Sequence, residues 1–344
     1  MKTTKQQLIT EQFAIYNSDC MEVMPTLPDA SIDLSLYSPP FAGLYQYSSS
    51  ERDFSNCESR EQFLQQYEFL VAEIARTTKP GRITAVHCTD VFDNSCNLWD
   101  FPNEIIRIHS KHGFQYRCRI GIRKEPLKVR MRTMVKSLMH KLIVEDTTQC
   151  FPAMPDYVLV FTRKGDNAVP VTHPKGLTEY PYFGEQPILP HFVEAWNNEN
   201  ESSWTASQIW EHLNTKYKTW PDPKTNKLSH YIWRRYADYQ WDDIRIDNVL
   251  PFRDSKEDDD EKHVHPLQLD VIDRLVYMYS NPGEVVLTPF MGVGSEVYSP
   301  VSMGRRAIGI ELKDSYYKQA IINLQHAPNR FADEYEQKTF ELDL

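Results

Sequence analysis

Apolar residues at 63, 64, 67, 70, 71, 74 and 75 recur at the spacing of one helix face. They predict a helix over 59–78, with Ser59 as N-cap and Lys79-Pro80-Gly81 as its stop. Short apolar runs predict strands within 13–19, at Ile32–Tyr37, Arg82–Cys88, Phe114–Arg123, Asp156–Arg163, Glu284–Leu287 and Ala307–Glu311. Helical patterns fall between them at Asn103–His112, His265–Ser280 and Ser315–Gln325. Strands alternating with helices indicate an α/β chain with a mostly parallel sheet and helices on both faces. The strands at 114–123 and 156–163 are expected to pair as an antiparallel hairpin at the sheet edge.

Residues 165–249 break this rhythm. Six of the seven tryptophans lie between 196 and 241, and the stretch is rich in Tyr and Pro. Three regions follow: 1–164, an inserted segment 165–249, and 250–344, with the acidic run Asp258–Glu261 as a solvated connection. Most of the inserted aromatics are expected to build its core, because aromatic rings supply much of the burial in a small unit.

Composition narrows the function. A net charge of −10 excludes a protein that holds nucleic acid by overall basicity. A local patch remains open, and residues 117–141 carry nine Lys/Arg against the single acid Glu125. The alternative for that run is an ordinary solvated face. The N-terminus has no apolar signal region, no run is long enough to cross a membrane, and the six cysteines contain no C-x-x-C pair. The expectation is a cytoplasmic protein with reduced thiols and no metal site; Cys150 reads as a packed thiol.

Two loops carry candidate chemistry. Five of the twelve glycines fall between 283 and 309, centred on Thr288-Pro289-Phe290-Met291-Gly292-Val293-Gly294-Ser295. Strand, Gly-x-Gly loop, helix and a second strand ending in Glu311 follow in order, a pattern that suits a nucleoside-bearing cofactor with the carboxylate on its ribose. Its alternative is a tight turn. At the end of the 32–37 strand stands Ser38-Pro39-Pro40-Phe41, a rigid loop offering a hydroxyl, a carbonyl and a flat apolar ring. It suits a flat group with an exocyclic amine; its alternative is a capped loop with a buried Phe.

Together these motifs resemble the β-group, circularly permuted amino-methyltransferases of DNA. Asn17-Ser18-Asp19, Leu27-Pro28-Asp29 and Ile32-Asp33-Leu34 resemble the approach to that family's catalytic loop, and Pro155–Phe161 its late strand. His265-Pro266-Leu267 stands where the family commonly has Lys-Pro, and Ile308-Gly309-Ile310-Glu311 resembles its ribose-binding strand. The resemblance covers roughly 13–164 and 263–325. It implies a Rossmann-like S-adenosylmethionine-dependent fold and methyl transfer to the exocyclic nitrogen of a flipped-out base. It implies catalytic roles for Ser38, Pro39, Pro40 and Phe41. Cofactor contacts are implied for Asp19, His265, Pro266, Thr288, Pro289, Phe290, Gly292, Gly294, Ser295 and Glu311. Thr288 replaces the family's usual Asp. Ser in the first loop position favours N4 of cytosine over N6 of adenine. Double-stranded DNA is the expected partner, with contacts from Arg123, Lys124, Lys128, Arg130, Arg132, Lys136, Lys141, Arg234 and Arg235, the segment 165–249 serving as target-recognition region. A cognate restriction endonuclease and a monomer or homodimer are further expectations. The competing readings are a methyltransferase of RNA, protein or a small molecule, and a non-catalytic DNA-binding regulator.

Overall fold

In a computed structural model, residues 6–40, 54–57, 59–92, 97–133, 135–179, 188–255, 266–325 and 327 are described. The strands are β1 (Gln6–Ile9), β2 (Phe13–Asn17), β3 (Ile32–Tyr37), β4 (Thr78–Thr89), β5 (Val91–Phe92), β6 (Leu98–Trp99), β7 (Phe114–Ile122), β8 (Asp156–Arg163), β9 (Gln240–Trp241), β10 (Val285–Thr288) and β11 (Arg306–Glu311). The helices are α1 (Cys20–Val23), α2 (Arg60–Thr77), α3 (Phe101–Lys111), α4 (Pro126–Thr133), α5 (Leu142–Glu145), α6 (Pro190–Asn200), α7 (Ala206–Tyr217), α8 (Lys227–Ala237), α9 (Leu269–Tyr279), α10 (Ser295–Ser302) and α11 (Asp314–Leu324).

Each predicted element is present, within a few residues of its expected bounds. Ser59 caps α2 by accepting from the Gln62 amide at 3.1 Å. One sheet runs in the order β1-β2-β11-β10-β3-β4-β8-β7-β9, and β5 pairs with β6 in a small ribbon. Strands β2, β11, β10, β3 and β4 are mutually parallel, while β8 is antiparallel to both β4 and β7. This is the Rossmann-like α/β architecture expected. The β7–β8 hairpin is one strand further in than expected. Gln240–Trp241, from the inserted segment, pairs with Gly121–Ile122 and covers that edge.

Apolar cores lie on both faces. On one, α2 and α3 pack Phe63, Leu70, Val71, Phe101 and Ile105 against Val86, Leu159 and Leu287. On the other, Leu34, Leu36, Ala85 and Val160 meet α9 together with Trp196, Ile209, Leu213 and Ile232 of the inserted helices. That segment therefore shares its core with the sheet. Most of its described aromatics are packed, Trp233 being an exposed exception at 58%. The acidic run at 258–261 lies outside the described residues.

Buried polar groups fix the order of the central strands. Asp33 on β3 accepts from the Val285 amide of β10 at 3.0 Å and from Lys79 Nζ of β4 at 2.6 Å. Arg82 of β4 donates to the Asp33 carbonyl at 3.0 Å and pairs with Glu284, just before β10. A neutral, shortened side chain at position 33 leaves the Val285 amide without this acceptor and Lys79 without its carboxylate. Asp33→Ala is therefore expected to destabilise the fold by about 3 kcal/mol, measured by urea unfolding followed by circular dichroism.

Candidate active site

The parallel register decides where the two loops meet. Val286 and Leu287 pair with Leu34 and Ser35, so the loop after Tyr37 and the loop after Thr288 leave neighbouring strands at the same sheet edge. Phe290 packs against Tyr37 with ring centroids 6.1 Å apart, and against Phe54 at 5.6 Å. The Gly-rich loop thus leans on the residue that precedes Ser38. Pro39 is buried and Ser38 and Pro40 are half-buried; Phe41 lies outside the described residues.

The Gly-rich loop is a tight turn as well as a candidate cradle. Gly294 adopts φ +97° and its missing Cβ would lie 3.1 Å from Ala320 Cβ, so α11 packs directly over it. Gly292, at φ +52°, has open space where a Cβ would be, and its amide donates to Glu311 Oε2 at 2.9 Å. The other carboxylate oxygen accepts from the Lys313 amide at 2.8 Å. Glu311 is held at the end of β11, beside β2, where Ser18 N donates to its carbonyl at 3.0 Å. The hydroxyls of Thr288 and Ser295 are buried on either side of the loop with no hydrogen-bond partner among the described residues. Pro289 is buried between strand and loop. Pro266 leads into α9, whose short return to β10 sets its N-terminal end toward this edge. His265 lies outside the described residues.

Asp19 follows β2 by two residues, the strand's last residue, Asn17, being the one level with Glu311 on the neighbouring strand. Its side chain accepts from the Met21 amide at 2.9 Å and caps α1.

Sequence reasoning missed a polar row on the other side of Ser38. Ser38 Oγ lies 3.2 Å from His87 Nδ1, His87 Nε2 lies 3.4 Å from Asp156 Oδ2, and Asp156 Oδ1 is paired with Lys124. Burial pushes the Asp156 carboxyl up, but Lys124 and His87 outweigh it and hold the group well below the usual carboxylate range. No local motif marks His87, and Asp156 stands out in the sequence only as part of the late strand. Only the pairing of β4 with β8 joins them.

One expected DNA contact is corrected, and a second, Lys124, has an ion-pair partner. Arg235 is only 7% exposed and is ion-paired with Asp242 at 3.2 Å and Asp243 at 2.8 Å, because α8 turns it into the core. Lys124 is committed to Asp156 at the sheet edge. Arg123, Lys128, Lys136 and Lys141 are exposed, Lys141 lying 3.6 Å from Glu145, and Arg130 is half-buried. The backbone at 132 is helical and its side chain lies outside the described residues. Arg234 is exposed beside Phe192. In the basic run, α4, α5 and short turns leave β7 and return to β8 at the edge that carries Ser38. No group of His, Cys, Asp and Glu suited to a metal ion occurs among the described residues, and no helix among them is long and apolar enough to cross a membrane.

The profile of the DNA methylase family of N6 and N4 methyltransferases matches residues 32–322, spanning both loops. The chain belongs to this family. Its methyl donor is S-adenosylmethionine. Among curated relatives, the type II methyltransferase M.BglII of Bacillus subtilis is 22% identical over 92% of this chain and 69% of its own length. M.BamHI of Bacillus amyloliquefaciens is 20% identical over 97% of this chain and 63% of its own. The fold is similar to the cytosine-N4-specific PvuII DNA methyltransferase, with TM-score 0.55 and 13% identity over 97% of this chain and 92% of that one. It is also similar to the Thermus thermophilus protein TTHA0409 in complex with S-adenosyl-L-methionine, with TM-score 0.54 and 19% identity over 90% of this chain and 93% of that one.

One buried acid in this family member makes its stability pH-dependent. Burial pushes the Glu296 carboxyl of α10 up to about 8, with Glu311 adding to the rise. The folded pKa lies above the unfolded one, so this residue's contribution is full below the ordinary carboxylate range and is lost as pH rises toward 8. Thermal melts are expected to show that loss in the wild type and a flatter profile between pH 5 and about 8 in Glu296→Gln.

Proposed function

We propose that the protein is a site-specific DNA methyltransferase that methylates the exocyclic amino nitrogen of a flipped-out base, with N4 of cytosine as its target. The observation that carries this reading is the packing of Phe290 on Tyr37, which sets the Gly-rich loop against the strand that delivers Ser38. A cofactor loop and an amine-binding loop then share one edge of the sheet.

The residues present suit the cofactor. Buried hydroxyls without partners at Thr288 and Ser295 are groups that a bound polar ligand would satisfy. Glu311, although held by two backbone amides, keeps acceptor capacity for ribose hydroxyls. Phe290 offers a half-buried ring, and Gly292 and Gly294 allow close approach of the backbone. Asp19, Pro266 and Pro289 complete the wall, with His265 as a further contact. Bound there, S-adenosylmethionine supplies an electrophilic methyl group. Ser38 Oγ and the Pro39 carbonyl accept the hydrogens of the exocyclic amine, favouring the pyramidal geometry in which its lone pair can attack. Phe41 stacks on the base. The chain's contribution is positioning and fixed dipoles. The base has to leave the helix stack to reach this edge.

Duplex DNA is the substrate, reached by exposed Arg123, Lys128, Lys136, Lys141 and Arg234, with 165–249 reading the target. The order of the motifs, Ser38 loop first and Gly-rich loop second, agrees with the permuted β-group. Type II methyltransferases among the relatives support a modification role, with a cognate endonuclease as partner. N6 of adenine is the second reading, favoured by a 115-residue match at 35% identity to the DNA adenine methyltransferase YhdJ of Escherichia coli, over 33% of this chain and 36% of that protein.

Unmethylated DNA incubated with methyl-labelled S-adenosylmethionine, digested and read by mass spectrometry, is expected to yield N4-methylcytosine. N6-methyladenine would transfer the assignment to the second reading, and absence of any methylated nucleoside would refute both. Ser38→Ala is expected to keep cofactor binding and slow turnover by about 100-fold; unchanged turnover would remove Ser38 from the mechanism. Thr288→Val is expected to leave the cofactor-free protein as stable as the wild type, because the lost hydroxyl has no partner among the described residues. Calorimetry should show affinity for S-adenosylmethionine lower by roughly tenfold, the worth of one hydrogen bond.

A further inference from the structure

The proposed reaction leaves a problem that Ser38 cannot solve alone. Once the amine has taken the methyl group its nitrogen is cationic and has to lose a proton. A neutral serine hydroxyl is a good hydrogen-bond acceptor but a poor final proton acceptor. The row behind it supplies one. Val86 pairs with Tyr37, which sets His87 level with Ser38 on the neighbouring strand. Thr89 and Ile122 both pair with Asp156, so the row crosses the ends of β3, β4, β8 and β7 in order. The side chains of His87 and Asp156 are only about a tenth exposed, at 10% and 9%.

We propose that His87, backed by Asp156 and Lys124, is a positioning residue that orients the Ser38 hydroxyl and receives its proton during methyl transfer; this rests on the methyltransferase reading above. The carboxylate 3.4 Å from Nε2 favours the tautomer with its proton on that nitrogen. Nδ1, 3.2 Å from Ser38 Oγ, is then the acceptor. The Ser38 O–H points at His87, and the oxygen's remaining lone pairs face the amine. As the N–CH3 bond forms, the S–CH3 bond breaks and sulfonium becomes thioether. One amine N–H bond then breaks, its proton passing to Ser38 Oγ while the Ser38 proton passes to His87 Nδ1. The positive charge ends on the imidazolium, next to Asp156, and the proton later leaves to solvent. Lys124 tempers the carboxylate and fixes its orientation. The 3.4 Å separation is longer than a closed hydrogen bond, as is common before substrate aligns a catalytic group.

Single-turnover transfer from labelled S-adenosylmethionine to unmethylated DNA tests this in the wild type, His87→Ala, His87→Asn, Ser38→Ala and the Ser38→Ala/His87→Ala double variant. Calorimetry reports cofactor affinity in each. His87→Ala is expected to slow transfer by about 100-fold with cofactor affinity unchanged. The double variant should be no slower than Ser38→Ala within about threefold, because groups acting as a unit are not additive. His87→Asn keeps an acceptor near the Nδ1 position but cannot take the proton, so it should stay slow; it carries the test if the alanine variant fails to fold. Wild-type speed in His87→Asn, a loss under about twofold in His87→Ala, or losses that multiply in the double variant would overturn the relay. A wild type that binds the cofactor and methylates no DNA would overturn the reading of the site itself, and the relay with it.

Discussion

Asp33 is the interaction on which the arrangement of the site depends. It lies almost wholly buried on β3 and holds the first residue of β10 by its amide and β4 by Lys79. Strands far apart in the chain are thereby set side by side. A buried carboxylate is costly unless it is matched, and here both oxygens are engaged. Arg82 and Glu284 repeat the link one layer toward the sheet's other end. With β10 beside β3, the Gly-rich loop and the Ser-Pro-Pro loop have to emerge together.

The same parallel order accounts for the division of labour along the edge. On one side of Ser38, the ends of β10, β11 and β2 bring Gly292, Glu311 and Asp19 into one neighbourhood. On the other, β4, β8 and β7 bring His87, Asp156 and Lys124. The antiparallel insertion of β8 is what makes the second group possible, because it delivers the start of a strand beside the ends of β3 and β4. The basic helix α4 leaves β7 at this same edge, and α5 precedes the return to β8 there, so the basic run and the row behind Ser38 share one end of the sheet.

One expectation about charge failed for a reason of packing. Arg235 belongs to a basic stretch, and in the sequence it looks like its neighbours. In the fold, Arg235 and Arg274 share Asp243 at 2.8 and 2.9 Å, and Arg274 is 1% exposed. Burial pushes Asp243 up, but the two guanidiniums hold its carboxyl below its ordinary value. These cations tie the inserted helices to α9. Periodicity could not separate them from phosphate-binding residues, because Arg is tolerated on a buried face when a carboxylate waits there.

What the amino-acid order determined by itself was local. Turn chemistry at Ser38-Pro39-Pro40, the glycines at 292 and 294, the strand ending in Glu311 and the face of α2 are all written within a few residues, because backbone conformation and helix periodicity are short-range properties. The tertiary structure alone decided which strands are neighbours. That choice joined His87 to Ser38 and Asp156 and turned Arg235 inward. It also placed Trp241 on the sheet edge and gave the tryptophan-rich segment a core in common with the sheet. Such pairings arise from burial and long-range hydrogen bonds between segments that carry no signal of one another, so they become legible only once the chain has folded.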